Sequence, residues 1–233
     1  MRWRWAALAA GLAGCVTLVP TYTRSAWIGL SVSIATLFAI TRPRWIVALA
    51  AVLAVALAIA PASYRARAFS SFDPHHPTNL ERTYMWHAGL AMFRDHPLTG
   101  VGLMDLRAIY DRYKLPQARE RAGHLHSVPI QIAASMGVIG LLAWAALVVS
   151  LFVAAASGLR RMPPGIAAGL KVGVLGMLAG FLVSGLFEWN FGDEELLYPL
   201  YTLVGMAWAA RLWESGAEEA RAPVARAAPR SAA

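Results

Sequence analysis

Cysteine is almost missing from this chain: Cys15 alone stands among 233 residues. An intramolecular disulfide framework is therefore excluded. Charge is scarce as well, at 15% of residues against 58% hydrophobic, too little for an ordinary soluble domain. The apolar residues come in long blocks, so an integral membrane protein is the first reading. Alternation of apolar and polar residues is missing from these runs, which are rich in Ala and Leu, so strands are excluded in favour of helices. The formal charge of +8 raises nucleic acid as a partner, but no basic helix or aromatic-basic stripe collects the positive residues. PLTGVG (97–102) lacks the lysine and the preceding strand of a phosphate loop. The spans hold few charges and show no inverted repeat, which argues against a transporter or channel.

Six apolar segments are present, at about 3–20, 25–41, 45–61, 128–157, 165–187 and 196–213, most of them near the ~20 residues that cross a bilayer. The opening MRWRW resembles the start of a signal peptide, but five further spans follow and a retained first span is expected. Alternate connections carry Arg2 and Arg4, then Arg42 and Arg44, then Arg160 and Arg161, then Arg211, Arg221, Arg226 and Arg230. The opposite short connections carry only Arg24 and the acidic run EWNFGDEE (188–195). The positive-inside rule puts both termini in the cytoplasm. The expected organisation is all-α, a polytopic membrane helix bundle of about six transmembrane helices with a helical cap outside. Residues 1–61 supply three transmembrane helices, 62–127 the external helical domain and 128–213 three more. An Ala-, Arg- and Pro-rich cytoplasmic tail, 214–233, is expected to be disordered.

The external segment is too long for a bare loop. Thr78-Asn79-Leu80-Glu81 has the form of a capping box, predicting a helix from about 79 to 95 that Pro97 ends. After the PLTGVG turn a second helix is predicted around 103–114.

Within HLHSVPIQIAASMGVIG (124–140), His126 precedes an apolar helix by one residue, and Gly137 lies eleven residues on, close to three turns. Gly140 follows almost one turn later. If the helix begins near Ser127, His126 and both glycines face the same way, and small residues admit a neighbouring helix. Pro129 suits a first turn. By spacing alone His126 is equally an interfacial polar residue. Arg24 is either a snorkelling arginine or a binding group, being the one basic residue in a short external connection. Arg82, near a helix N-terminus where a cation opposes the macrodipole, either pairs with Glu81 or Asp73 or, with Arg24, grips a diphosphate through the guanidinium fork. His75 and His76 read as a turn, and Lys171 as a snorkelling residue. His124, His126 and the acidic turn have neither an HExxH nor a Cys pairing to support zinc, so no metal is expected.

These pieces resemble a known family. HSVPIQIAASMGVIG fits His-[Asn/Ser/Gln]-x9-Gly-x-x-Gly, the signature of the O-antigen ligase family of bacterial membrane glycosyltransferases. TRSAWIGL resembles that family's Ser-Arg-Gly-Ala-Trp segment, with Ser25 where Gly is common. ERTYMWHAGLAMFRDHPLTGVG resembles its Arg-x-x-x-Trp…His-Pro-Leu-x-Gly-x-Gly region. Pro129 and Ser135 replace commoner choices in the histidine motif. The resemblance implies transfer of a glycan from undecaprenyl diphosphate to an acceptor such as lipid A core, or to a growing polymer, at the periplasmic face of the inner membrane. It implies no cofactor, metal or nucleotide. His126 takes the position of the general base, with Ser127, Gly137 and Gly140 completing its motif, and Arg24 and Arg82 those of the diphosphate-binding arginines. The family has about twelve spans against six here, so a missing N-terminal half or a partner subunit is expected, with a non-catalytic assembly subunit as the alternative.

Overall fold

The computed structural model describes residues 2–103 and 105–221, and all regular structure among them is helical. Nine α-helices follow in order: α1 (Arg2–Leu18), α2 (Arg24–Thr41), α3 (Trp45–Ile59), α4 (Ala62–Phe69), α5 (Pro77–Asp95), α6 (Leu106–Tyr113), α7 (Val128–Ala156), α8 (Ile166–Gly185) and α9 (Glu194–Arg221). Three stretches are long and apolar enough to cross a membrane: Arg24–Thr41, Val128–Arg161 and Ile166–Gly185. The first and third predicted spans form shorter apolar helices, Trp5–Thr21 and Trp45–Ile59. The sixth is the start of α9, which carries Pro199 and two first-turn acids. Among the described residues the chain is thus an all-helical membrane protein with three candidate membrane-spanning helices. Composition ended the last helix at 213, but α9 runs on to Arg221; the tail beyond 221 lies outside the described residues.

Helix α8 is the hub of the bundle, packing on α2, α7 and α9. Its approach to α2 runs through small residues. A Cβ on Gly29 would meet the Gly180 carbonyl oxygen at 2.9 Å, and one on Gly176 would meet the Ser33 carbonyl at 2.9 Å. Backbones this close are the usual means of helix association in lipid, where burial of apolar surface drives nothing. Lys171, expected to snorkel, is instead buried in α8 and donates to the Ser157 carbonyl at the end of α7, where a cation meets the negative end of the helix.

Outside the bundle, α5 lies on α7 and carries α6. The buried stripe of α5 is Met85, Ala88, Gly89 and Met92, and it packs with Leu106, Tyr110 and Leu125 into one apolar cluster. The capping box does not form. Helix α5 begins two residues earlier than the box requires, with His76 at the N-cap, Pro77 in its first turn and no side-chain cap. The Glu81 carboxylate instead accepts the backbone N–H groups of Arg119 and Glu120, which ties the 114–127 connection to α5. Helix α6 is capped as predicted helices usually are, Asp105 accepting the Arg107 N–H at 3.0 Å.

The largest departure from regular helix is in α7. Gly137 adopts φ 63° and ψ −159°, breaking the helix. In an unbroken helix the amides of Val138 and Ile139 would donate to Ala134 and Ser135. Here they donate to Pro97 (2.8 Å) and Leu98 (3.3 Å), while Val101 and Gly102 donate to the freed carbonyls of Ala134 (2.8 Å) and Ser135 (3.0 Å). The PLTGVG turn is thus spliced into α7. A Cβ on Gly137 would collide with the Leu98 carbonyl group, and one on Gly100 (φ 66°) with the backbone of Ser135 and Met136. Close approach at Gly137 does occur, but the approaching segment is a loop and not a neighbouring helix. Gly140 lies beneath the side chain of Met136 in its own helix. The break also resets the helical phase, so counting turns from His126 does not place both glycines under it.

Candidate active site

Leu125 stands between His124 and His126 in a bent connection leading into α7. Leu125 points into the external core and is fully buried, packed where Gly89 leaves room on α5. The two imidazoles on either side lie together, with ring centroids 4.2 Å apart and edge to face. His126 then turns into the left-handed region, φ 46°, an uncommon conformation for a residue with a Cβ. Gln131, buried on the first turns of α7, accepts the Leu125 N–H at 2.9 Å and so fixes the backbone on the approach to that turn. Ser127 is buried at the N-cap, its carbonyl accepting the Gln131 N–H at 2.8 Å.

The partner of His126 comes from far along the chain, 62 residues away. Just past the end of α8, Glu188 places Oε1 2.6 Å from His126 Nδ1 and Oε2 3.1 Å from Arg82 Nη2. Of the two readings of Arg82, the ion pair to Glu81 or Asp73 is replaced by one to this carboxylate, 106 residues away. The loop bearing Glu188 is anchored by buried Asn190, which donates to the Phe181 carbonyl at 2.8 Å. Burial pushes the Glu188 carboxyl up, but the hydrogen bond and charge of His126, the Arg82 guanidinium and the Trp189 amide outweigh it. The net shift is downward, so Glu188 is an anion at neutral pH. Against an anion, Nδ1 of His126 carries the proton and Nε2 is left as the acceptor. Burial first, and the neighbouring His126 second, push His124 below the usual histidine range, leaving it neutral.

Arg24 opens α2 and reaches across to the external domain, donating to Asn79 Oδ1 (2.8 Å) and Ser70 Oγ (3.2 Å). Arg24 and Arg82 line one cavity of about 350 Å3 together with Ser25, Asn79, Trp86 and Phe187. An apolar groove between α2 and α3, about 500 Å3, shares Arg24, Ile28, Ser71 and Phe72 with that cavity. His126, Arg82 and Arg24 therefore form a chain of adjacent groups: imidazole, carboxylate, guanidinium, cavity, second guanidinium. Asp193, Glu194 and Glu195, from the same acidic run, take no part in the ion pairs to these arginines. His75 and His76 sit in a turn where Asp73 accepts the His75 N–H. As for a metal, one donor atom from each of His124, His126 and Glu188 lies within 4.8 Å of the others, so the two histidines and the acidic turn do come together although no metal motif joins them in sequence.

The sequence alone singled out Arg24, Arg82 and His126, and took Glu188 as part of the acidic turn weighed with His124 and His126 for zinc. Its signal was weak: one acid at the head of EWNFGDEE, on the same side of the membrane as the histidine. The O-antigen ligase family profile matches residues 8–145, more than half of the chain. Arg24, Arg82, His126, Gly137 and Gly140 fall inside the match, and Glu188 beyond it. No curated protein matches the chain. Members of the family are glycosyltransferase-like ligases or polymerases of surface polysaccharide. On the profile match, this chain belongs to the O-antigen ligase family.

Proposed function

We propose that this protein transfers a glycan from undecaprenyl diphosphate to an acceptor hydroxyl at the periplasmic face of the bacterial inner membrane, as a ligase acting on lipid A core. The observation that carries the reading is the joining of one two-arginine cavity to one imidazole through a single carboxylate. In this reading the donor diphosphate lies in the cavity between Arg24 and Arg82, each of which keeps guanidinium donors free beyond its present contacts. The isoprenoid chain lies in the adjoining groove of α2 and α3, whose Trp27, Leu49 and Leu53 offer it an apolar wall.

The acceptor oxygen attacks the anomeric carbon, and the bond from that carbon to the phosphate oxygen breaks. The hydroxyl proton passes to His126 Nε2, while undecaprenyl diphosphate leaves with the bonding pair. Glu188 holds the Nδ1 proton in place and stabilises the imidazolium as it forms. Arg82 and Arg24 neutralise the charge gathering on the diphosphate.

Two consequences separate these roles. Glu188→Gln removes the anion that selects the tautomer, and kcat is expected to fall on the order of 100-fold with donor KM little changed. Unaltered kcat would remove Glu188 from the mechanism. Arg24→Lys keeps the charge but loses the fork, so donor KM is expected to rise about tenfold, or 1.4 kcal/mol, with kcat nearly kept. A polymerase of the same family shares the donor chemistry and differs in acceptor. A glycan-ladder gel of a deletion strain tests the choice: polymer still made but absent from lipid A core identifies a ligase, whereas loss of the polymer itself identifies a polymerase.

A further inference from the structure

One buried titratable group has no task in the transfer chemistry. His124 stands edge-on to His126, and its Nδ1 is buried with no hydrogen-bond partner among the described residues. An imidazole nitrogen hidden from water and from donors is costly to leave unsatisfied. Two imidazoles and a carboxylate form a familiar donor set for zinc, which takes three protein ligands and leaves its fourth tetrahedral position to water. Donors around a tetrahedral zinc are about 3.3 Å apart by the usual bond lengths. The present separations, from the 2.6 Å contact of His126 with Glu188 up to the 4.8 Å limit of the group, straddle that value. Arg82 binds the other oxygen of Glu188, at 3.1 Å, which leaves Oε1 for the metal. A hydrogen bond to the second oxygen is the usual support of a ligating carboxylate.

We propose that His124, His126 and Glu188 form a zinc(II) site whose occupation switches glycan transfer off. The inference rests on the reading of His126 as the base. Zinc at His126 Nδ1 takes the place of the proton there. The neutral ring keeps one proton, which moves through water to Nε2, so no lone pair remains to accept the acceptor's hydroxyl proton. Nothing is oxidised or reduced, and chelation reverses the step.

The test uses the full chain in phosphatidylethanolamine–phosphatidylglycerol liposomes, with zinc chloride as the probe. Micromolar zinc is expected to inhibit wild-type transfer, and a chelator to restore it. His124→Phe keeps the ring and removes both nitrogens. It is expected to transfer normally and to need at least about 100-fold more zinc for half inhibition, a loss that even supporting residues of metal sites can cause. Wild-type transfer indifferent to zinc, or His124→Phe inhibited at the wild-type concentration, overturns the proposal. Cobalt(II) absorption of the wild-type protein reads the site without any activity. Intense tetrahedral bands support it even if His126→Ala were to retain transfer, in which case the base assignment alone fails. A spectrum of aquo-cobalt only overturns the site, whether or not His124→Phe folds.

Discussion

Cells carrying His126→Ala are expected to lose glycan attachment, with transfer lowered on the order of 1000-fold and protein level unchanged. That magnitude is within what a positioned general base contributes. The backbone at His126 complicates the alanine variant, because φ 46° is unfavourable to alanine and the loss of fold must be separated from the loss of the base. His126→Asn makes the separation. Asparagine tolerates the left-handed region, and its amide can still meet Glu188, yet it cannot take up a proton at neutral pH. Both variants are therefore expected to be inactive, with His126→Asn extracted in wild-type yield and with wild-type thermal stability. Activity in His126→Asn within about tenfold of wild type, against the 100-fold or more assigned to the base, would remove His126 from proton transfer.

The second large effect is structural. Gly137→Ala is expected to destabilise the protein by about 3 kcal/mol or more, read as a lowered unfolding temperature in detergent and reduced yield. A backbone at φ 63° and ψ −159° is open essentially to glycine alone and costs others about 1–3 kcal/mol. The new methyl group would in addition strike the Leu98 carbonyl and approach the Thr99 nitrogen at 2.6 Å. Relief requires the PLTGVG turn to withdraw, and its four hydrogen bonds to α7, each worth about 1 kcal/mol net, are lost with it. Gly169 in α8 serves as the control. A Cβ there meets nothing within 4 Å, so Gly169→Ala is expected to be neutral or slightly stabilising. Equal behaviour of the two variants would contradict the splice of the turn into α7.

These two positions mark what the sequence made legible. Helices, their order and the external α5 follow from apolar run length and from Pro97. Arg24 and His126 stood out because a polar residue beside an apolar run has to be explained, and Arg82 because a cation near a helix N-terminus opposes the macrodipole. The pairing of His124 with His126 was also within reach, since Leu125 alone separates them in sequence. Glu188 was not: its partners lie 62 and 106 residues away, and no local pattern encodes such a contact. The capping box misled because the helix starts at Pro77, ahead of Thr78, and because Glu81 takes the amides of Arg119 and Glu120 instead of reaching back to the helix start. Gly137 was read through helical period, whereas its backbone leaves the helix and receives a loop.

The central claim is that imidazole, carboxylate and paired arginines act as one unit on a diphosphate-linked donor. Its most direct measurement is release of undecaprenyl diphosphate by the purified full chain in liposomes supplied with undecaprenyl diphosphate-linked glycan and lipid A core. The account predicts release matched mole for mole by glycan on the acceptor, with both abolished together in His126→Asn. Equal release and transfer by His126→Asn and wild type would contradict it.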